Sequence, residues 1–197
     1  YDSAGLATVT NNTRDEKKCS GRVEELEKIL FKAPSKGNIG IGHVRWATHG
    51  VPNVLNAHPH SSDKVSVVHN GIIENSDEIK KEIEKKGLQF KSQTDTEVIT
   101  LLITEALKEN EPLESVFKTL RKLKGSFALG IIFKDFSDII IGARRGSPLA
   151  VGFSKNENYL GSDSYALKSM TNKISYLEDG EVCVVSKNNV NFYDLNI

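Results

Sequence analysis

The spacing of apolar positions changes twice along this chain and divides it into three stretches. Residues 1–74 carry short extended pieces, at 6–10, 39–43 and 65–68. One helical pattern interrupts them over 22–31, where Val23, Leu26, Ile29 and Leu30 share a face. Ser20 is placed to cap this helix, and Pro34 lies just beyond its end. The middle stretch is helical. Asn75 or Ser76 is suited to cap a helix over 77–86, which Gly87 ends. Thr94 or Asp95 is suited to cap another over 96–109, with Val98, Leu101, Leu102 and Ala106 at helical spacing. A third runs from Pro112, a residue fitted to a first turn, through Val116, Leu120 and Leu123 to Gly125. Beyond Gly125 the pattern is all strand, at 127–133, 139–143, 149–153, 159–162, 174–177, 182–185 and 190–193, punctuated by turn residues. Strands, then helices, then strands predict an α+β fold with helices layered on antiparallel sheets. With no repeat or linker-like tract, residues 1–197 read as one domain.

Composition narrows the class. Charged residues balance, 26 basic against 26 acidic, with no basic tract, which argues against nucleic acid or an anionic membrane as partner. No apolar run approaches the roughly 20 residues that span a bilayer, and no signal peptide is visible. Two cysteines, Cys19 and Cys183, do not make a disulfide framework, so a cytoplasmic location is expected. The chain opens on Tyr1 rather than Met, the mark of a fragment or a processed chain.

Candidate chemistry concentrates in the first half. All five histidines (His43, His49, His58, His60, His69) fall within residues 43–69, and His58-Pro59-His60 raises a metal site. No His-x-x-x-His, nearby Cys or suitably spaced acid supports one, so no metal is expected. The segment Gly42–Gly50 packs an Arg, the only Trp, a Thr and two His at a strand end, a composition suited to a ligand site or to an Arg stacked on Trp in a turn. Asn70-Gly71 reads either as a hairpin turn or as an oxyanion hole, the Asn amide and the Gly N–H aimed at one developing charge. Asp95 reads either as a helix cap or as the partner of a substrate ammonium.

Six motifs occur in order: Tyr-Asp-Ser-Ala-Gly at 1–5, His-Val-Arg-Trp-Ala-Thr-His-Gly at 43–50, Asn-Ala-His-Pro-His at 56–60, Val-His-Asn-Gly-Ile-Ile-Glu-Asn at 68–75, Thr-Asp-Thr-Glu at 94–97 and Arg-Arg-Gly-Ser-Pro-Leu at 144–149. Together they resemble the glutaminase domain of the glucosamine-6-phosphate synthase family, class II glutamine amidotransferases, over the whole chain. The resemblance implies an N-terminal-nucleophile αββα sandwich, two antiparallel sheets between helical layers. It implies that Arg45 binds the α-carboxylate of L-glutamine through its planar fork. Asp95 would take the α-ammonium, Asn70 and Gly71 would form the oxyanion hole, and Thr48 and His49 would line the pocket with Gly71. Trp46 would help gate an ammonia channel.

In this family the nucleophile is a catalytic cysteine at the chain start whose own α-amine is the base. The resemblance therefore implies that the first strand, the first helix and that cysteine lie outside residues 1–197, and that this fragment is inactive alone. Cys19 sits beside Lys17 and Lys18, which could lower its pKa, and Cys183 alternates as a core thiol; neither matches the nucleophile motif. The implied partners are L-glutamine, a C-terminal sugar isomerase domain of the same chain and a second copy in a homodimer. No cofactor is implied. The implied activity supplies ammonia that converts fructose 6-phosphate to glucosamine 6-phosphate. The alternatives are another class II amidotransferase, such as amidophosphoribosyltransferase, or a non-catalytic glutamine-binding module.

Overall fold

The computed structural model describes residues 2–46 and 50–195. Its centre is a six-stranded antiparallel sheet ordered β12-β11-β7-β6-β5-β4. The middle of this sheet is β6 (Gly125–Phe133), paired with β5 (Val65–Ile73) on one side and β7 (Phe136–Arg145) on the other. Because strand side chains alternate, β6 sends Phe127, Leu129, Ile131 and Phe133 to one face and Ala128 and Ile132 to the other, all buried. The first set packs with Val65, Val67 and Ile73 of β5 against three helices, α2 (Ser76–Lys85), α3 (Thr96–Ala106) and α4 (Pro112–Leu120). Burying each such Leu, Ile or Phe side chain stabilises the fold by about 1.5–3 kcal/mol, so this interface is the main core. The edges are β4 (His60–Ser61) at one end and β11 (Glu181–Ser186) with β12 (Val190–Asp194) at the other.

The opposite face is covered by two separate three-stranded antiparallel sheets. In one, β1 (Ser3–Thr10) pairs with β2 (Thr13–Ser20) and β3 (Ile39–Arg45). Its Ala7, Val9 and Ile41 meet Ile132 of the large sheet, while Ala4 and Cys19, on its other face, meet Leu26 of α1 (Val23–Lys32). In the other, β8 (Ala150–Phe153) lies between β9 (Asn158–Gly161) and β10 (Lys173–Tyr176), with the short α5 (Ser164–Leu167) beside β9. The α+β reading with antiparallel sheets holds, but the second layer is two small sheets. Among the described residues, β3 and β9 each have a neighbour on one side only, and both border the same cavity.

Several expectations are corrected. Residues 13–20 form a strand that periodicity missed, because β2 is a run of charged residues at 14–18 without alternating apolar groups. Its hairpin turns on Asn11 and Asn12, both at positive φ (48° and 57°), as a two-residue turn of this hand requires. Ser20 therefore ends β2, and Arg22 takes the N-cap position of α1 without a side-chain cap bond. The helix expected over 96–109, α3, stops at Ala106. Asn75 occupies the N-cap position of α2, but its amide bonds Lys122 O and Lys124 N, tying that helix start to the chain entering β6. Asn70-Gly71 is no turn: both residues lie inside β5, opposite Ala128 and Phe127.

Candidate active site

A cavity of about 850 Å³ opens between β3, β5, β9 and the first turn of α3. Three segments distant in sequence deliver to it Arg45 and Trp46, Asn70 and Gly71, and Asp95. Thr48 and His49 lie outside the described residues.

Period-two alternation on β3 puts Ile41, His43 and Arg45 on the face turned to the large sheet. Arg45 is only 5% exposed. Its Nη1 lies 3.8 Å from Asp2 Oδ1 and its Nη2 donates to Gly50 O at 3.4 Å. The backbone N–H of Asp2 also donates to Arg45 O at 3.0 Å, so the start of β1 steers both ends of this residue. A planar guanidinium held this way suits two-point recognition of a carboxylate. Trp46, 76% exposed, stands at the cavity margin.

Asn70 projects from β5 on the same face as Val68, toward β3. His43 Nε2 lies 2.8 Å from its Oδ1. Gly71 has φ +129°, and a Cβ there would fall 2.2 Å from Ser126 O. Only glycine fits this backbone. Gly5 is required differently: its missing side chain lets the His58 carbonyl lie against β1.

Asp95 does not cap α3. Its backbone is already helical, it makes no cap bond, and its Oδ2 accepts from Ile73 N at 2.7 Å. The carboxylate is thereby tied across to β5, next to Asn70-Gly71. Glu97 steadies the preceding turn by accepting from Lys91 N, Ser92 N and Ser92 Oγ at 2.9, 2.7 and 2.6 Å.

Four histidines cluster beneath the cavity. His43 and His58 stack at 4.3 Å between centroids, and His58 meets His60 edge-on at 4.8 Å. Thr96 Oγ1 lies 3.0 Å from His58 Nε2 and 2.9 Å from His69 Nδ1, while Thr94 Oγ1 lies 2.9 Å from His60 Nε2. A hydroxyl donates one proton and can accept two, so at most one of His58 and His69 accepts from Thr96 and at least one donates to it. Burial, the largest cause, holds all four below the ordinary histidine pKa, His60 down to about 3 and His58 well below, with neighbouring cations adding to it. These rings are neutral hydrogen-bonding groups at pH 7. Among the described residues, no group of three or more His, Cys, Asp or Glu side chains is placed to hold a metal ion.

Neither thiol borders the cavity. Cys19 faces α1, its Sγ 3.9 Å from Arg22 O. Cys183 of β11 is buried in the core against Ala128, Val151 and Leu177, and burial pushes its thiol up to about 12. His43 is the site residue that motif reading left without a role; its two-residue spacing from Arg45 on one strand was the available signal.

The antiparallel α+β architecture and this convergence define a glutamine amidotransferase domain: the model of that family matches residues 51–169, and the chain belongs to it. Within the family it is similar to glutamine–fructose-6-phosphate aminotransferase (isomerizing). It is 49% identical to that of Bradyrhizobium diazoefficiens over 98% of this chain and 32% of the relative. To that of Zymomonas mobilis it is 47% identical over 99% and 32%. The chain thus spans about a third of the length of these relatives. In fold it matches the glutamine phosphoribosylpyrophosphate amidotransferase from B. subtilis, complexed with ADP and GMP, with TM-score 0.83 at 24% identity, over 98% of this chain and 43% of that one. No helix among the described residues is long and apolar enough to cross a membrane.

Proposed function

We propose that this chain is the glutamine-hydrolysing part of a glucosamine-6-phosphate synthase, folded as an αββα N-terminal-nucleophile sandwich. It supplies ammonia from L-glutamine for conversion of fructose 6-phosphate to glucosamine 6-phosphate. One observation carries the reading: Arg45, Asn70, Gly71 and Asp95 converge on a single cavity. Arg45 takes the glutamine α-carboxylate, Asp95 the α-ammonium, and Asn70 with the Gly71 N–H the oxyanion of the tetrahedral intermediate. Trp46, at the margin, borders the exit for ammonia. Thr48 and His49 complete the glutamine pocket. A sugar isomerase domain of the same longer chain receives the ammonia, in an assembly that is a homodimer. The whole-chain similarity near 49% to the aminotransferases favours this reading over a purine-pathway amidotransferase.

The nucleophile is a cysteine thiolate on a strand outside these residues, whose α-amine serves as its base. The burial of Cys19 and Cys183 away from the cavity supports this, as do the one-sided strands β3 and β9 flanking the gap. Residues 1–197 alone are expected to release no ammonia from glutamine above the buffer rate. The full-length protein is expected to do so, and its activity is expected to survive Cys19→Ala. Ammonia release by the 197-residue chain, or loss of activity in Cys19→Ala, would overturn the assignment of the nucleophile.

Recognition is tested at Arg45 and Asp95 in the full-length protein. Arg45→Lys keeps the charge but loses the fork. It is expected to lower kcat/KM for glutamine by about 1.5–3 kcal/mol, roughly ten- to over a hundredfold. Asp95→Asn keeps an acceptor for Ile73 N–H but loses the charge that holds the ammonium, and is expected to weaken glutamine use comparably. Wild-type kinetics in both variants would sink the proposal.

A further inference from the structure

We infer that His43 is a positioning residue that aims the Asn70 carboxamide, and thereby sets the oxyanion donor; this rests on the role of Asn70 proposed above. An Asn side chain presents an oxygen and an NH₂ group of nearly the same shape, so a lone Asn in a polar cavity has two end-for-end orientations. Only one of them places donors toward a developing negative charge. His43 selects that one. Its Nε2 stands 2.8 Å from Asn70 Oδ1, and a ring N–H donating there turns the Nδ2 hydrogens the other way, into the cavity both residues border. The reversed carboxamide would present its NH₂ to that same N–H and is excluded.

The ring is built to carry its proton at Nε2. Among the described residues, His43 Nδ1 is buried without a hydrogen-bond partner, whereas Nε2 has an acceptor in reach. One face of the imidazole stacks on His58 at 4.3 Å and 24° between planes, which fixes its rotation about the strand. The backbone pairing of His43 with Gly5 on β1 fixes its height. Desolvation, together with the Arg45 charge, works against a second proton, while Asn70, the backbone of His69 and Asp2 work for it; the net effect leaves the ring neutral near pH 7. Of the proposed catalytic and binding side chains, Asn70 is the one that the His43 ring hydrogen-bonds among the described contacts, and the Arg45 charge reaches the ring through space. The influence of His43 on catalysis therefore passes through Asn70.

The test uses the full-length protein and steady-state glutamine hydrolysis. His43→Ala is expected to lower kcat by about tenfold or more, short of the roughly 10²–10³-fold loss of an oxyanion donor itself. KM for glutamine should stay within about twofold, because the oxyanion exists only in the transition state. His43→Gln, whose side-chain N–H₂ reaches the same position, is expected to recover most of that kcat. In the double variant His43→Ala/Asn70→Ala, the rate should be no lower than in Asn70→Ala alone, since residues acting as a unit are not additive. Nitrogen NMR of the wild-type protein should show the Nε2–H tautomer at His43, a measurement independent of how the variants fold. Unchanged kcat in His43→Ala, additive losses in the double variant, a KM rise without a kcat loss, or an Nδ1–H tautomer would each overturn the inference. A wild-type protein that does not hydrolyse glutamine would instead overturn the functional reading, and this inference with it.

Discussion

Asn70→Asp in the full-length protein is expected to lower kcat for glutamine hydrolysis by at least 10²–10³-fold, about 2.7–4 kcal/mol, while the melting temperature hardly moves. The substitution removes the amide donor and places a negative charge beside the one that develops on the substrate carbonyl, so the loss should exceed that of simple truncation. The fold should tolerate it. Asn70 lies within β5, its backbone paired to Ala128, and an Asp oxygen there still accepts from His43. Had Asn70-Gly71 been a hairpin turn, Asp-Gly would have served equally well; its position in mid-strand leaves the side chain free for chemistry. The check is kcat and melting temperature measured together. An unchanged rate would remove Asn70 from the oxyanion hole.

Acid should unfold this domain through its histidines. His43, His58, His60 and His69 are buried and held below the ordinary pKa, with desolvation the largest cause for each. Around them lie Lys18 and Arg45, which oppose a further positive charge, and Asp2 and Asp95, which favour one. Each group's folded pKa is lower than its unfolded one, so below about pH 6.5 the unfolded chain binds protons that the folded chain refuses. Stability is therefore full above the unfolded value and falls with pH until the folded value is reached. For His60 that window runs from about 6.5 down to about 3. Within it, His60 costs up to about 1.4 kcal/mol per pH unit. Over the His60 window this is a sizeable part of a net stability of about 5–15 kcal/mol, and His43, His58 and His69 act in the same direction. Denaturant titrations between pH 7 and 4.5 should show a steep loss, made shallower by His60→Asn. A flat profile over that range would overturn the assignment of these rings as neutral.

How much of this was legible in the sequence varied with the physical origin of each element. Helices α2 and α4 announced themselves through Ile79 and Ile83, and through Val116 and Leu120, because a surface helix must show one apolar face. The strands β6, β7 and β11 were equally plain, as runs buried on both sides. By contrast β2 was silent. An edge strand needs only its backbone pairing, so Arg14 to Lys18 could all be charged. The dipeptide Asn70-Gly71 misled in the opposite direction: local turn preference yielded to a long-range ladder with β6 that no local window contains. Asp95 was offered as a cap because it precedes a helix, but its carboxylate is taken by Ile73 of another strand. The motifs named residues that the fold brings to one cavity; their hydrogen-bond partners lay in distant segments, which is why the link from His43 to Asn70 emerged only in three dimensions.

The two sides of the β2-β1-β3 sheet meet their surroundings on unequal terms. At the outer side β2 carries Arg14, Asp15, Glu16, Lys17 and Lys18, already engaged within the domain: Arg14 with Ser62 O, Lys18 with Pro59 O, Glu16 with Ser61, and Lys17 with Asp15. At the inner side β3 offers Gly40, Gly42 and Val44, with little to desolvate. Extension of this sheet is thus permitted in one direction only, across the gap toward β9. The unpaired edges of β3 and β9 both border the cavity, so the asymmetry that leaves room for an added strand turns those edges toward the site.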